Sequence, residues 1–202
     1  MTKIHLIRHG QTDNNIERRF QGQSDSLLTE KGKDQARLLA QALEGIAFDA
    51  VFASSNLRAY DTAKILVNKR GLNIEALDAL REIYLGNWEG QLEEEIKKID
   101  PKQYYNYWND PSKFKCLGSE TFFELQTRAL NCFKKIVKNN PGKEILVVSH
   151  GALLKTLLAF LDKRPLKDLW KHPIMGNCAH SIVHAADQNQ AEIVMYAGLT
   201  SW

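Results

Sequence analysis

A His-Gly pair occurs twice in this chain, each time at the end of an apolar run: Ile4-His5-Leu6-Ile7-Arg8-His9-Gly10 and Ile145-Leu146-Val147-Val148-Ser149-His150-Gly151. Histidine acts as nucleophile, acid or base near neutral pH. A following glycine lets the backbone turn sharply and come close to a ligand. Arg8 adds a planar fork of donors that matches phosphate oxygens. Gln11, Thr12 and Asn15 follow at once. For His9 alone, an ordinary hydrogen bond at a strand end is the more frequent role. Arg8 and a second pair of the same kind make the combination specific for phosphate chemistry.

Such residues need elements to hold them. Short runs rich in Leu and β-branched residues read as buried strands of a parallel sheet. In open α/β sheets, ligands bind at the carboxyl ends of the strands, so two histidines leaving two strands there meet in one site. Residues 2–8 read as a strand, followed by a loop from Gly10 to Leu28. Thr29 caps a helix to about Glu44, with Ala36, Leu39, Ala40 and Leu43 at helical spacing. Strands over 49–53 and 73–77 flank a helix over 56–69, with Gly71 suited to its end. A loop spans Arg81 to Gly90. Residues 91–116 carry Glu93-Glu94-Glu95, paired lysines, Pro101, Pro111, Tyr104, Tyr105, Tyr107 and Trp108. They read as one or two short helices laid over the sheet edge as a lid. A helix over 119–139, a strand over 144–149, a helix over 152–161 and strands near 178–185 and 191–196 complete the chain. The expected fold is a three-layer α/β/α sandwich with a mostly parallel central sheet and a small helical lid insertion. No repeat or linker divides it, so residues 1–202 are expected to form a single domain.

Composition limits the function classes. The chain has 202 residues, 44% hydrophobic and 25% charged, ordinary for a globular protein. A net charge of +3, mixed along the chain, argues for neither nucleic acid nor membrane as partner. No apolar run approaches the ~20 residues of a membrane span, and the N-terminal run is too short for a signal peptide. Cys116, Cys132 and Cys178 are far apart and odd in number, and form no CxxC pair. They read as reduced thiols rather than a disulfide frame or zinc site. The expected location is the cytoplasm.

The sequence resembles the histidine phosphatase, or phosphoglycerate mutase-like, superfamily. The resemblance runs through Arg8-His9-Gly10, Asn15, Phe20-Gln21-Gly22, Asp25, Leu28-Thr29-Glu30-Lys31-Gly32, Ser54-Ser55-Asn56-Leu57-Arg58-Ala59 and Thr62-Ala63. It continues through Leu80-Arg81-Glu82, Gly86-Asn87-Trp88-Glu89-Gly90, Gly118-Ser119-Glu120-Thr121 and Val147-Val148-Ser149-His150-Gly151. It implies that His9 is the nucleophile that takes the phosphoryl group. Arg8, Arg58 and His150 surround the phosphate, with Asn15 and the backbone of Gly151 completing the pocket. Thr12, Gln21 and Gly22 join the substrate-binding set. Glu82 is implied as proton donor to the leaving group and then as base for water. The physics agrees: a transferring phosphoryl group spreads negative charge over its equatorial oxygens, and positioned cations stabilise it without a metal. No cofactor or metal is expected.

Several residues have blander alternatives. A lone Glu82 is most often a solvated loop residue, and only its block lifts it above that; Glu89 is the rival acid. Arg58 alone is a surface charge, although a helix start there favours an anion. His180 and His184 share one strand face, but no Cys, Asp or Glu partner is evident, so they read as structural. His5 reads as packed within its strand, and His172 as a loop residue. The Tyr104–Trp108 cluster packs the lid more readily than it stacks on substrate.

The resemblance leaves a choice between phosphatase and mutase. After Glu82 come Ile83-Tyr84-Leu85-Gly86, without the basic stretch that mutases carry, and residues 91–116 hold no arginine. The chain is also shorter than typical mutases and ends at Thr200-Ser201-Trp202. The reading is therefore a phosphomonoesterase acting on a small-molecule phosphate ester, as monomer or homodimer. A cofactor-dependent phosphoglycerate mutase is the alternative, and an inactive phosphate-binding module the minor one.

Overall fold

The two apolar runs that precede the histidines lie side by side. In the computed structural model, which describes residues 1–68 and 70–201, β1 (Thr2–Arg8) pairs in parallel with β4 (Glu144–Ser149). Their register sets Arg8 opposite Ser149. His9 and His150 each follow by one residue, so both leave the sheet at its carboxyl end as neighbours. β2 (Ala50–Ser54) pairs with β4 on its other side, and β3 (Ile74–Leu77) extends the sheet beyond β2, all four strands running parallel. β5 (His180–Ala185) is antiparallel to β1, and β6 (Ala191–Met195) to β5, giving the order β3-β2-β4-β1-β5-β6. The expected three-layer, mostly parallel architecture stands, with the antiparallel pairings confined to one side.

Alternation along the strands feeds two cores. Ile7, Val51, Ala53, Leu146 and Val148 pack with Ala59, Ala63 and Leu66 of α3 (Leu57–Leu66), with Leu39 and Ala40 of α2 (Glu30–Ala42) alongside. Ile4, Leu6, Phe52, Ile145 and Val147 face α6 (Phe122–Asn139) and α7 (Gly151–Leu161). The buried stripe of α6, namely Phe122, Leu125, Ala129, Cys132, Phe133, Ile136 and Val137, follows helical spacing. Each large apolar side chain in it contributes ~1.5–3 kcal/mol by burial.

The structure shifts several expected boundaries. A short helix, α1 (Asp13–Glu17), interrupts the expected loop; Thr12 and Asn15 form a capping box at its start. α3 ends at Leu66, three residues before the expected end, and residue 69 lies outside the described residues. α6 begins at Phe122 because Thr121 and Glu124 cap each other there. β5 starts at His180, after Cys178 takes a left-handed φ of 55°.

The expected lid is two helices, α4 (Glu93–Ile99) and α5 (Pro101–Asn109). It does not lie over a sheet edge. Tyr107 of α5 stacks among Phe20, Trp88, Phe114, Phe122 and Trp170, none of them on an edge strand. Main-chain bonds from Phe20 to Gln91 (3.0 Å) and from Glu93 to Arg18 (2.9 Å) join the segment to the end of α1. Burial of these rings is what seats the lid, and Ile99 at its far end stays 75% exposed. Among the described residues, no helix is long and apolar enough to cross a membrane.

Candidate active site

His9 is 2% exposed and its loop is clamped from behind. The Gly10 amide donates to Thr62 Oγ1 (3.1 Å), and the Gln11 carbonyl accepts from the Thr29 amide (2.9 Å) at the start of α2. A Cβ at Gly10 would stand 2.5 Å from the Gly32 carbonyl oxygen, and one at Gly32 would stand 2.1 Å from that of Gln11. Only two glycines permit this approach, which explains the glycine after His9. The His9 ring meets the Gly10 carbonyl through Nδ1 (2.8 Å). A carbonyl only accepts, so Nδ1 carries the proton and Nε2 of the neutral ring keeps its lone pair. That is the state a nucleophile requires. Burial, then the charges of Arg58 and Arg8, hold the His9 pKa well below 6.5.

Cations surround it. Arg58, 1% exposed, is held by its Nη1 on the Ser24 carbonyl and its Nη2 on the Gly22 carbonyl, each at 2.7 Å. Arg8 Nη1 donates to the Met175 carbonyl at 2.6 Å. Both arginines keep a buried Nε–H without a partner among the described residues, as does His150 Nδ1. Unpaired buried donors are costly, and an oxyanion between them would satisfy them. Burial lowers the Arg58 pKa to about 10, which leaves it charged near neutrality. His150 is fully buried, its ring centroid 5.2 Å from that of His9, with Nε2 on Ser54 Oγ at 2.7 Å.

Glu82 sits at the start of α7. Oε1 accepts from the Ile83 and Leu153 amides and Oε2 from the Ala152 amide, each at 2.9 Å. The helix N-terminus thus orients this carboxyl group. Glu89, the rival, also accepts main-chain amides, its Oε1 taking those of Gln23 (2.8 Å) and Leu85 (3.1 Å), but unlike Glu82 it does not line the cavity that opens on His9 and the arginines.

A cavity of about 230 Å³ opens on these groups, lined by Arg8, His9, Asn15, Gln21, Gly22, Arg58 and Glu82 among the expected residues. Thr12, His150 and Gly151 do not line it. Thr12 is fully buried and its hydroxyl donates to Gln21 Oε1 (3.1 Å), because capping α1 turns it inward. Gly151 lies against Arg8, where a Cβ would stand 3.4 Å from Nε. Sequence reasoning missed Asn14, Arg18, Arg19, Leu85 and Glu93 in the lining. Arg18 and Arg19 immediately precede the Phe20-Gln21-Gly22 block, which was the available signal. Tyr107 and Trp108 pack against neighbouring rings, as expected of the lid, and also line the cavity.

Two of the remaining histidines, His5 and His180, are joined to each other. His5 Nδ1 bonds His180 Nε2 (2.9 Å), and His5 Nε2 bonds Glu144 Oε1 (2.8 Å), so His5 has a carboxylate partner that the sequence did not reveal and, among the described residues, His180 meets it only through His5. That carboxylate comes from β4, which sequence spacing cannot place beside β1. Among the described residues no metal-holding group of His, Cys, Asp and Glu occurs.

The low pKa of His9 has a kinetic consequence. Protonation removes the lone pair, so kcat/KM falls only as pH drops through the His9 pKa of the free enzyme. The acidic limb, corrected for ionisation of the ester, is expected well below pH 6.5. A limb at or above 6.5 would contradict this electrostatic picture.

Comparison with known proteins bears on the same residues. A family model described as "Histidine phosphatase superfamily (branch 1)" matches residues 4–197. The solved structure of Bacillus stearothermophilus YhfR superposes with a TM-score of 0.95 at 37% identity, over 98% of each chain. Phosphoserine phosphatase 1 of Hydrogenobacter thermophilus is 29% identical over 93% of this chain and 89% of its own. The adenosylcobalamin/alpha-ribazole phosphatase of Escherichia coli is 29% identical over 89% of each.

Proposed function

The chain belongs to the histidine phosphatase superfamily (branch 1), and on that footing we propose that it is a phosphomonoesterase of small phosphorylated metabolites, working through a phosphohistidine on His9. We take the whole chain as one such domain, with residues 91–116 as its lid. The observation that carries the proposal is His9 itself. Its Nδ1 is pinned to its own chain, which leaves Nε2 free in the field of Arg58 and Arg8, each of which keeps a buried, unpaired Nε–H among the described residues.

Nε2 attacks phosphorus and the ester oxygen departs, taking a proton from the carboxyl of Glu82. The Arg8 and Arg58 guanidinium groups and His150 stabilise the equatorial oxygens. Glu82, now a carboxylate, takes a proton from water as that water attacks the phosphohistidine, and inorganic phosphate leaves. Cations of the chain carry the charge stabilisation, so no metal enters the scheme. The phosphatase names of the relatives support hydrolysis, and a cavity of about 230 Å³ suits a small ester.

Arg18 and Arg19 favour a second reading. They bring to the mouth the cationic groups that residues 91–116 lack, and such groups would hold an acidic acceptor as a phosphoglycerate mutase does. A substrate panel separates the two. Phosphate release from p-nitrophenyl, sugar and nucleoside phosphates, unchanged by chelator and without interconversion of 3- and 2-phosphoglycerate, is the expected result. Interconversion that depends on 2,3-bisphosphoglycerate would establish the mutase instead.

A further inference from the structure

The segment that carries Glu82 has no regular structure of its own. A single 3-10 turn (Asp78–Leu80) is followed by an extended run to Leu85. Its shape comes from Arg128 of α6. Nη1 donates to the carbonyls of Ala79 (3.0 Å) and Arg81 (2.7 Å), and Nη2 to that of Glu82 itself (3.1 Å). Nε and the remaining Nη2 proton form a bidentate pair with Glu120, at 2.9 and 2.7 Å. All five guanidinium donors are thereby used. Glu120 closes the arrangement from the other side: its carboxylate accepts from the Tyr84 amide (3.2 Å) and its amide donates to the Tyr84 carbonyl (2.8 Å). The pair is mostly buried, with 23% and 14% of the side chains exposed.

The main chain on both sides of Glu82 is therefore held by one ion pair that does not line the cavity, with Gln23 Nε2 on the Glu82 carbonyl (3.1 Å) and Ser149 Oγ on the Leu80 carbonyl (2.7 Å) as further ties. Glu120 lies in the Gly118-Ser119-Glu120-Thr121 block, to which the proposed mechanism gives no role. We infer that Arg128 and Glu120 are positioning residues, which set the distance from the Glu82 carboxyl to the departing ester oxygen and so govern proton donation to the leaving group. The inference rests on the reading of Glu82 as the acid. An acid displaced by about 1 Å forfeits on the order of 10²-fold in rate, but only where the leaving group needs its proton.

The test compares β-glycerophosphate, an alkyl ester, with p-nitrophenyl phosphate, whose leaving group needs little protonation. Wild type, Glu82→Gln, Arg128→Gln, Arg128→Lys and Glu120→Gln are assayed on both, with melting temperatures. Arg128→Gln and Glu120→Gln are expected to lose at least ~10-fold more kcat on the alkyl than on the aryl ester. Arg128→Lys is expected not to rescue, because an ammonium cannot supply the planar fork. Adding Arg128→Gln to Glu82→Gln is expected to widen the alkyl–aryl gap no further. Equal losses on both esters in the Arg128 and Glu120 variants, with Glu82→Gln still selective, would reduce the pair to packing and overturn the inference alone. Equal losses in Glu82→Gln itself would overturn the acid assignment and the inference with it. If Arg128→Gln does not fold, Glu120→Gln, which preserves side-chain volume, decides.

Discussion

His9→Ala is expected to lower phosphatase turnover by at least ~10³-fold while leaving the fold and phosphate binding in place. Among the described residues the ring makes one hydrogen bond, to the carbonyl of the next residue, so its loss breaks no long-range hydrogen bond and removes only the ring contact with His150. The loop stays clamped by Thr62, Thr29 and Gly32. Arg8, Arg58 and the α7 start remain to bind an anion. What disappears is the atom that accepts the phosphoryl group. Steady-state assays, a melting curve and inhibition by inorganic phosphate check this together. Turnover within about tenfold of wild type in a folded variant would mean that water attacks the ester directly, and the covalent route would fail.

The second large effect is at Glu82. Glu82→Gln removes the transferable proton and leaves the size of the side chain unchanged. Alkyl esters are expected to lose on the order of 10²–10⁴-fold in kcat. For p-nitrophenyl phosphate the loss should be much smaller. Some loss on both is expected, because the carboxylate accepts three amides and an amide group offers one oxygen. An N–H left facing the –NH₂ group costs ~1–3 kcal/mol. The gap between esters therefore reports acid catalysis, and the part common to both reports the lost helix-end contacts together with the lost base for phosphohistidine hydrolysis. A kcat/KM ratio that stays the same for the two esters would remove Glu82 from the proton-transfer step, because kcat/KM excludes the hydrolysis of the common phosphohistidine.

The strands were legible because buried parallel strands are near-continuous apolar runs, and residues 4–7 and 145–148 are of that kind. Their adjacency was not: that β4 lies between β1 and β2 is a tertiary fact, and only the rule that ligands sit at strand ends tied the histidines together. α1 escaped notice because Asp-Asn-Asn-Ile-Glu shows no apolar period and its capping box uses Asn15 rather than Glu or Gln. Arg8 and His9 were readable from residue types, and Arg58 and Glu82 from the family resemblance; the four meet in one cavity. What pattern could not show is which polar residues turn away from it. Thr12 looks like a ligand-binding residue, yet it caps a helix. Arg128 looks like a solvated charge on a helix, yet it saturates its donors on the Glu82 segment. Such roles depend on which backbone lies opposite, and a single sequence does not encode that locally.

The measurement that tests the central claim most directly is trapping of the phosphoenzyme. Enzyme mixed with an excess of p-nitrophenyl phosphate, quenched on the millisecond scale in strong base and digested, is expected to yield phosphate on the peptide containing His9. The adduct should be stable to base and labile to acid, and absent from His9→Ala. Full turnover with no phosphorylated peptide at any quench time, or phosphate carried on another residue, would contradict a mechanism built on His9.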